Sequence, residues 1–202
     1  MEYTVTVIDG DGVGPEVVGE GVKVLQAVAE KFSHRFVFVR ARMGASAFDA
    51  VGSALPDETL EACRQSDAVL FGAVGHPRYE QPNVSIRPER GYGIIRLRKT
   101  LSLFANIRPV RLYPSLVHSP PLKPDVVAGV DFIIVRELTG GIYFAEPKQI
   151  TRAPEGRAAV DTLACTEQEI WRILRVGFRL AERRRKEVTS VDKFQILCSS
   201  DL

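Results

Sequence analysis

The apolar positions change their period along the chain, and each change marks an element. Val5, Val7 and Ile8 form a β-branched run within residues 3–8 that predicts a strand. It ends at Gly10-Asp11-Gly12-Val13-Gly14-Pro15-Glu16, where glycines permit a tight turn and Pro15 suits the first residue of a helix. Val17, Val18, Gly21, Val22, Val24, Leu25 and Val28 then recur at helical spacing to about Phe32. Residues 36–39 predict a second strand, and Pro56-Asp57 starts a helix through Cys63. Residues 68–75 are nearly all apolar, as expected of a strand buried on both faces of a parallel sheet. The order βαβαβ predicts an α/β layer architecture with right-handed crossovers.

Residues 76–93, rich in Pro, Gly and Arg, carry little periodicity and predict a long connection of the kind that is more often functional than idle. A short helix over 94–101 and an extended stretch over 104–112 follow, then a Pro-rich turn region over 113–124 and an apolar strand over 130–135. Gly140-Gly141 breaks the chain. Extended pieces around 142–150 and 159–163 predict a hairpin arm about the polar stretch 151–157. Thr166-x-x-Glu169 is a capping-box pattern. Behind it Ile170, Ile173, Leu174, Gly177, Phe178 and Ala181 share one helical face, so a helix runs to about Arg185, with a further strand at 188–191. The stretch 194–202 shows no helix to cover that strand, which leaves the expectation of an incomplete protein.

Composition narrows the class. In 202 residues, 27 Lys and Arg stand against 25 Asp and Glu, so no strong field attracts nucleic acid. With 45% hydrophobic residues the chain is no candidate for disorder. Cys63, Cys165 and Cys198 are far apart and odd in number, which fits a reducing compartment better than a disulfide framework or a cysteine zinc site. No stretch approaches the ~20 apolar residues of a membrane helix. The default location is the cytoplasm, with neither membrane nor nucleic acid as partner. His34, His76 and His118 are not at metal spacing and read as solvated.

The candidate chemistry begins at the glycine turn, whose GxGxG spacing departs from a dinucleotide fingerprint and whose Asp9 and Asp11 would repel a pyrophosphate; a tight structural turn is the plainer reading. Arg98, Arg108 and Arg136 lie on or beside predicted elements, Arg136 at the carboxyl end of a strand, where open α/β sheets bind ligands. Converging guanidinium groups suit a compact polycarboxylate; the plainer alternative is that each pairs with a local acid such as Glu89 or Glu137. Tyr143 and Lys193 stand at turn and strand ends, where such groups exchange protons, or form an ordinary surface pair. The run Arg183-Arg184-Arg185-Lys186 complements a helix C-terminus.

Four strings in one order carry a family resemblance: Gly10 to Glu16, Leu97-Arg98-Lys99 continuing to Phe104-Ala105-Asn106-Ile107-Arg108-Pro109, Val135 to Phe144, and Thr189-Ser190-Val191-Asp192-Lys193. Together they resemble the β-decarboxylating dehydrogenases of the isocitrate/isopropylmalate dehydrogenase family. The resemblance implies a two-domain α/β fold with a central mixed sheet. Residues 1–104 would be the first half of the nucleotide-side domain, and 105–202 most of a second domain with the arm and part of a dimer interface. It implies oxidation of a 2-hydroxy dicarboxylate by hydride transfer to NAD, loss of the β-carboxylate, and protonation of the enol, with Mg2+ or Mn2+ as Lewis acid.

By motif, the resemblance makes Arg98, Arg108 and Arg136 carboxylate ligands, Tyr143 the acid that protonates the enol, and Lys193 the group of the base step, reaching a neighbouring subunit's site in a homodimer. Ile94 and Ile95 match the positions that receive an isopropyl group, and Val13, Gly72, Ala73, Gly75 and Glu89 those on the cofactor. Isopropylmalate and leucine biosynthesis are the first expectation. Isocitrate, homoisocitrate and tartrate are the alternatives within the family, and a noncatalytic fragment is the alternative outside it. Three departures accompany this. Two extra residues fall in 90–93, Arg96 is an unexplained polar neighbour of Ile94 and Ile95, and the metal aspartates and adenosine loop are expected beyond Leu202. No metal ligand is therefore expected in this chain, and its unfinished edges predict poor solubility on its own.

Overall fold

The N-terminal β-branched run becomes the central strand of a parallel sheet in the computed structural model, which describes residues 1–81, 83–119, 121–193 and 195–202. Strand β1 (Glu2–Gly10) pairs in parallel with β2 (Arg35–Ala41) on one side and β3 (Ala68–Ala73) on the other, in the order β2-β1-β3. The chain divides into two units, Met1–Leu101 and Ser102–Leu202.

In the first unit the alternation of β1 sends its side chains to two cores. Val5 and Val7 pack with Val18 of α1 (Gly14–Phe32) on one face. On the other, Ile8 packs with Met43, Leu55, Leu97 of α5 (Ile94–Thr100), and Leu60 and Cys63 of α3 (Asp57–Gln65). Full burial of a side chain such as Ile8 stabilises by roughly 1.5–3 kcal/mol. Thr6 is also fully buried, and its hydroxyl is satisfied on α3, donating to the Ala62 carbonyl at 3.0 Å and lying 2.7 Å from Ser66 Oγ. The strand buried on both faces is thus β1, whereas the run 68–75 is half-exposed and leaves the sheet at Ala73. The reason is position: among the described residues β3 has β1 as its one strand neighbour, and β1 has two.

Two short helices fall where no helix is legible in the sequence, α2 (Ala45–Val51) and α4 (Pro77–Glu80). His76 and His118 are exposed, as expected, and His34 departs from expectation. His34 is half-buried against the rings of Tyr3 and Phe36, its Nδ1 without a hydrogen-bond partner among the described residues, and His76 Nδ1 accepts from the Arg78 amide to cap α4.

The second unit pairs β4 (Ala105–Arg111) antiparallel with β5 (Asp131–Glu137), in register from Ala105 opposite Glu137 to Arg111 opposite Asp131. A one-turn helix α6 (Pro124–Val127) precedes β5. The arm is the hairpin β6 (Lys148–Ala153) and β7 (Gly156–Asp161), closed by Pro154-Glu155. Its first strand begins later than the pattern predicts, because Gly141 at φ +71° turns Gly141–Tyr143 into a 3₁₀ turn. The polar stretch 151–157 is correspondingly strand on both sides of a two-residue turn.

Helix α7 (Glu167–Glu182) carries both bonds of its capping box: Thr166 Oγ1 accepts from the Glu169 amide at 3.3 Å, and Glu169 Oε2 accepts from the Thr166 amide at 2.8 Å. It ends at Glu182, short of the expected 185, and Arg184 and Arg185 reach back to Asp131 at 2.7 Å each. Of the predicted apolar face, Ile170, Ile173, Gly177 and Ala181 are half-buried, but Leu174 and Phe178 join Trp171 on the exposed side. The expected strand at 188–191 is irregular backbone with Val191 in solvent, since no described strand lies alongside to bond it. The final stretch begins at Phe194, which lies outside the described residues, and contains a 3₁₀ turn at Cys198–Ser200. Among described residues the buried apolar side chains number twelve in the first unit and two, Val127 and Leu138, in the second. The second unit therefore has almost no core of its own.

Candidate active site

The strand exits of the first unit gather one group of candidates. Gly10 adopts φ +76°, and a Cβ there would stand 2.0 Å from the Ala73 carbonyl oxygen; a Cβ on Gly72 would stand 2.2 Å from the Asp9 carbonyl. These glycines let β1 and β3 approach, which is the structural reading of the turn. Gly12 at φ +58° differs, with nothing within 4 Å of its Cβ position, and Val13 beside it is exposed. The Asp11 amide donates to the Ala73 carbonyl at 2.6 Å, bringing Val13, Ala73 and Gly75 to one end of the sheet. Both acids of the turn are engaged with donors: Asp9 accepts from Arg40 at 2.7 and 2.8 Å, and Asp11 is buried among backbone amides. Open glycine backbone beside an exposed valine fits the approach of a flat ring.

The connection 76–93 folds back on this end. The Tyr92 hydroxyl lies 3.2 Å from both the amide and the carbonyl of His76, and Tyr92 itself is left-handed at φ +52°. Gly91, Tyr92 and Gly93 are left-handed in succession, a turn that leads directly into α5. Glu89 Oε2 accepts from the Ala54 amide at 3.3 Å. Ile94 packs on the core cluster with Leu55 and Leu97, and Ile95, half-exposed, lies outside it. Arg96 is now explained, because it donates to Asp57 Oδ1 at 2.6 Å and ties α5 to the start of α3. Arg98 is half-buried in the last turn of α5. Sequence reading passed over Asp11 and Tyr92 as site residues; the glycines flanking each were the available signal.

In the second unit, cross-strand register does what spacing could not. Asn106 lies opposite Arg136 and Arg108 lies two residues along β4, so both arginines occupy one face of the β4–β5 pair. Both are exposed there, and Arg108 Nε donates to Asn106 Oδ1. The Arg136 guanidinium stands 5.1 Å from the centre of the Tyr143 ring, a cation–π contact that joins two of the predicted residues. Glu137, a possible local partner for Arg136, is taken by another cation. It accepts from Arg172 Nη2 at 2.7 Å and Nε at 3.0 Å, and from the Thr139 amide and hydroxyl. Burial raises the Glu137 pKa, but these bonds outweigh it and hold the carboxyl below its ordinary value. Gly140 then lies against Glu169, whose carboxylate carbon would be 2.8 Å from a Cβ at that position. The turn carrying Tyr143 is thus pinned to α7. Lys193 is exposed, its carbonyl accepting from the Ile196 and Leu197 amides at 3.1 Å.

With this geometry in hand, comparison with known proteins sets first the fold and then the family. The chain matches a β-decarboxylating dehydrogenase from Thermococcus kodakarensis at TM-score 0.68 and 33% identity, covering 98% of this chain and 51% of that one. It matches an isocitrate dehydrogenase from Methylococcus capsulatus at TM-score 0.70 and 27% identity, covering 92% and 49%. The family model for isocitrate/isopropylmalate dehydrogenase matches residues 4–202, and the chain belongs to that family. It is 51% identical over 203 residues to the 3-isopropylmalate dehydrogenase of Dehalococcoides mccartyi (strain ATCC BAA-2266 / KCTC 15142 / 195), covering 100% of this chain and 55% of that enzyme. It is 52% identical over 200 residues to the 3-isopropylmalate dehydrogenase of Bacillus caldotenax, covering 99% and 54%. The chain thus spans about half the length of the curated relatives it matches.

Proposed function

We propose that this chain carries the substrate-gripping and proton-handling part of an oxidoreductase that oxidatively decarboxylates 3-isopropylmalate to 2-oxoisocaproate in leucine biosynthesis. The observation that carries the reading is the shared face of Arg108 and Arg136 with Tyr143 against Arg136. Two guanidinium groups on one sheet face grip a dicarboxylate bidentately, and Arg98 serves as a further carboxylate ligand. Tyr143 donates the proton that converts the enol to the ketone, and Lys193 takes part in removing the 2-hydroxyl proton. NAD, when bound, supplies the hydride acceptor. Val13, Gly72, Ala73, Gly75 and Glu89 are assigned to its side of the site, beside the open backbone at Gly12.

Mg2+ or Mn2+ completes the reading by analogy with the family. Among the described residues no three His, Cys, Asp or Glu side chains gather to hold such an ion. We place the protein in the cytoplasm on the reading of a biosynthetic enzyme; separately, no described helix is long and apolar enough to cross a membrane. Homodimer formation is supported by the exposed Trp171, Leu174 and Phe178 of α7 and by the exposed arm β6–β7. In this reading residues 1–104 belong to the nucleotide-side domain and 105–202 to the second.

The test is NADH appearance with 3-isopropylmalate and Mn2+, from the chain alone and from the chain joined in frame to the remaining C-terminal residues of the Bacillus caldotenax enzyme. Turnover by the joined form, favouring 3-isopropylmalate over isocitrate, homoisocitrate and tartrate, supports the reading. Arg136→Ala should lower its kcat/KM by roughly a hundredfold, the loss of two charge-assisted bonds. Preference for another acid overturns the substrate, and turnover in neither form overturns the enzyme.

A further inference from the structure

We propose that Asp11 is a positioning residue for the cofactor side of the site, an inference that rests on the reading above. Asp11 is 7% exposed. Its Oδ2 accepts from the amides of Ala45 at 2.7 Å and Gly75 at 2.9 Å, and its Oδ1 from the amide of Ser46 at 2.8 Å. Those three donors belong to two segments, the first turn of α2 and the exit from β3, and Asp11 belongs to a third, the turn between β1 and α1. Its own carbonyl accepts from the Gly14 amide at 2.9 Å, which fixes the approach to α1. One buried carboxylate therefore sets the distance between Val13, on one side, and Ala73 and Gly75, on the other.

The surroundings are shaped to admit it. Gly44 adopts φ +93°, and a Cβ there would fall 2.3 Å from Asp11 Oδ2 and 2.9 Å from Val74 Cγ1. α2 has no capping side chain of its own, and Asp11 supplies that acceptor from 34 residues away in sequence. Gly75 is left-handed at φ +133°, past the end of β3, and a Cβ there would meet Tyr92 Cε2 at 3.7 Å and Glu80 Oε1 at 3.9 Å. A glycine has no side chain to anchor it, and the Asp11 bond holds its amide. With all three donors backbone amides, the carboxylate acts here as a geometric node.

The discriminating experiment compares wild type with Asp11→Asn in the form of the protein that turns over NAD. Asparagine keeps the size but has one acceptor oxygen, so its amide nitrogen faces at least one backbone N–H that the carboxylate accepted. Displacing the backbone at a cofactor contact by about an ångström costs up to ~10²-fold. We expect KM for NAD to rise about tenfold or more, KM for 3-isopropylmalate to change by less than about twofold, and amide exchange at Gly75 to accelerate. A purely structural role would lower the melting temperature and leave the two KM values in their wild-type ratio; that result overturns the inference while wild-type turnover upholds the function. If Asp11→Asn does not fold, Asp11→Glu, with the charge kept and the arm lengthened, is measured in its place, and failure of both to fold overturns positioning in favour of structure. Absence of NAD turnover in wild type overturns the functional reading and this inference together.

Discussion

Arg172→Met isolates the contact that pins the tyrosine-bearing turn to α7, and its cost follows from the geometry. Arg172 holds Glu137 bidentately at 2.7 and 3.0 Å, donates to Thr139 Oγ1 at 2.7 Å, and stacks 4.8 Å from the centre of the Phe104 ring. The side chains are 37% and 17% exposed, between the surface limit of about 0–1 kcal/mol and the fully buried limit of roughly 3–5 kcal/mol for removing one partner. Methionine keeps the packing on Phe104 and leaves Glu137 with the Thr139 amide and hydroxyl. The expected loss is about 2 kcal/mol in a urea unfolding series at neutral pH. A double-mutant cycle with Glu137→Gln should return a coupling of about 1–2 kcal/mol, since the two groups share bonds and little else. The pH dependence has a fixed sign. Burial raises the Glu137 pKa, but the bonds from Arg172 and Thr139 depress it overall, so its stabilisation is present above the unfolded-state pKa and lost as pH falls through the folded one. Wild type and Arg172→Met should therefore converge in acid. A coupling under about 0.3 kcal/mol, or a difference in stability that persists unchanged at low pH, would refute the argument.

Two further outcomes follow from the first unit and the cysteines. Gly10→Ala drives a methyl group against the Ala73 carbonyl at a positive φ, and should cost at least ~3 kcal/mol, read as a large fall in melting temperature or loss of soluble protein; a wild-type melt would show that β1 and β3 do not approach as described. Cys63 is buried and its thiol is pushed up by that burial, whereas Cys198 is exposed. A thiol reagent at mildly alkaline pH should label Cys198 first and Cys63 only on unfolding, and mass spectrometry showing equal rates would contradict the core assigned to Cys63.

What the sequence determined alone is local. The β1 run, the glycine turn, the capping box at Thr166 and Glu169 and the short helix after Gly93 are read from residues within a few positions of one another, because their stabilising contacts lie within one or two turns of chain. The arginines and Tyr143 were legible as types at suggestive places, but their meeting was not. Arg108 and Arg136 share a face only because β4 and β5 pair with Asn106 opposite Arg136, and a slip of one residue would have sent one of them to the other face. The same limit hid α2, which has no cap in its own sequence and borrows Asp11. It also left open which strand is central, since among the described strands β1 has two neighbours and β3 one, and it left the partner of Glu137 open among several cations until α7 brought Arg172 to it. Registers, sheet order and ion-pair partners are properties of segments tens of residues apart. They are decided when one burial geometry satisfies all of those segments at once, which is information that tertiary packing holds and a local pattern does not.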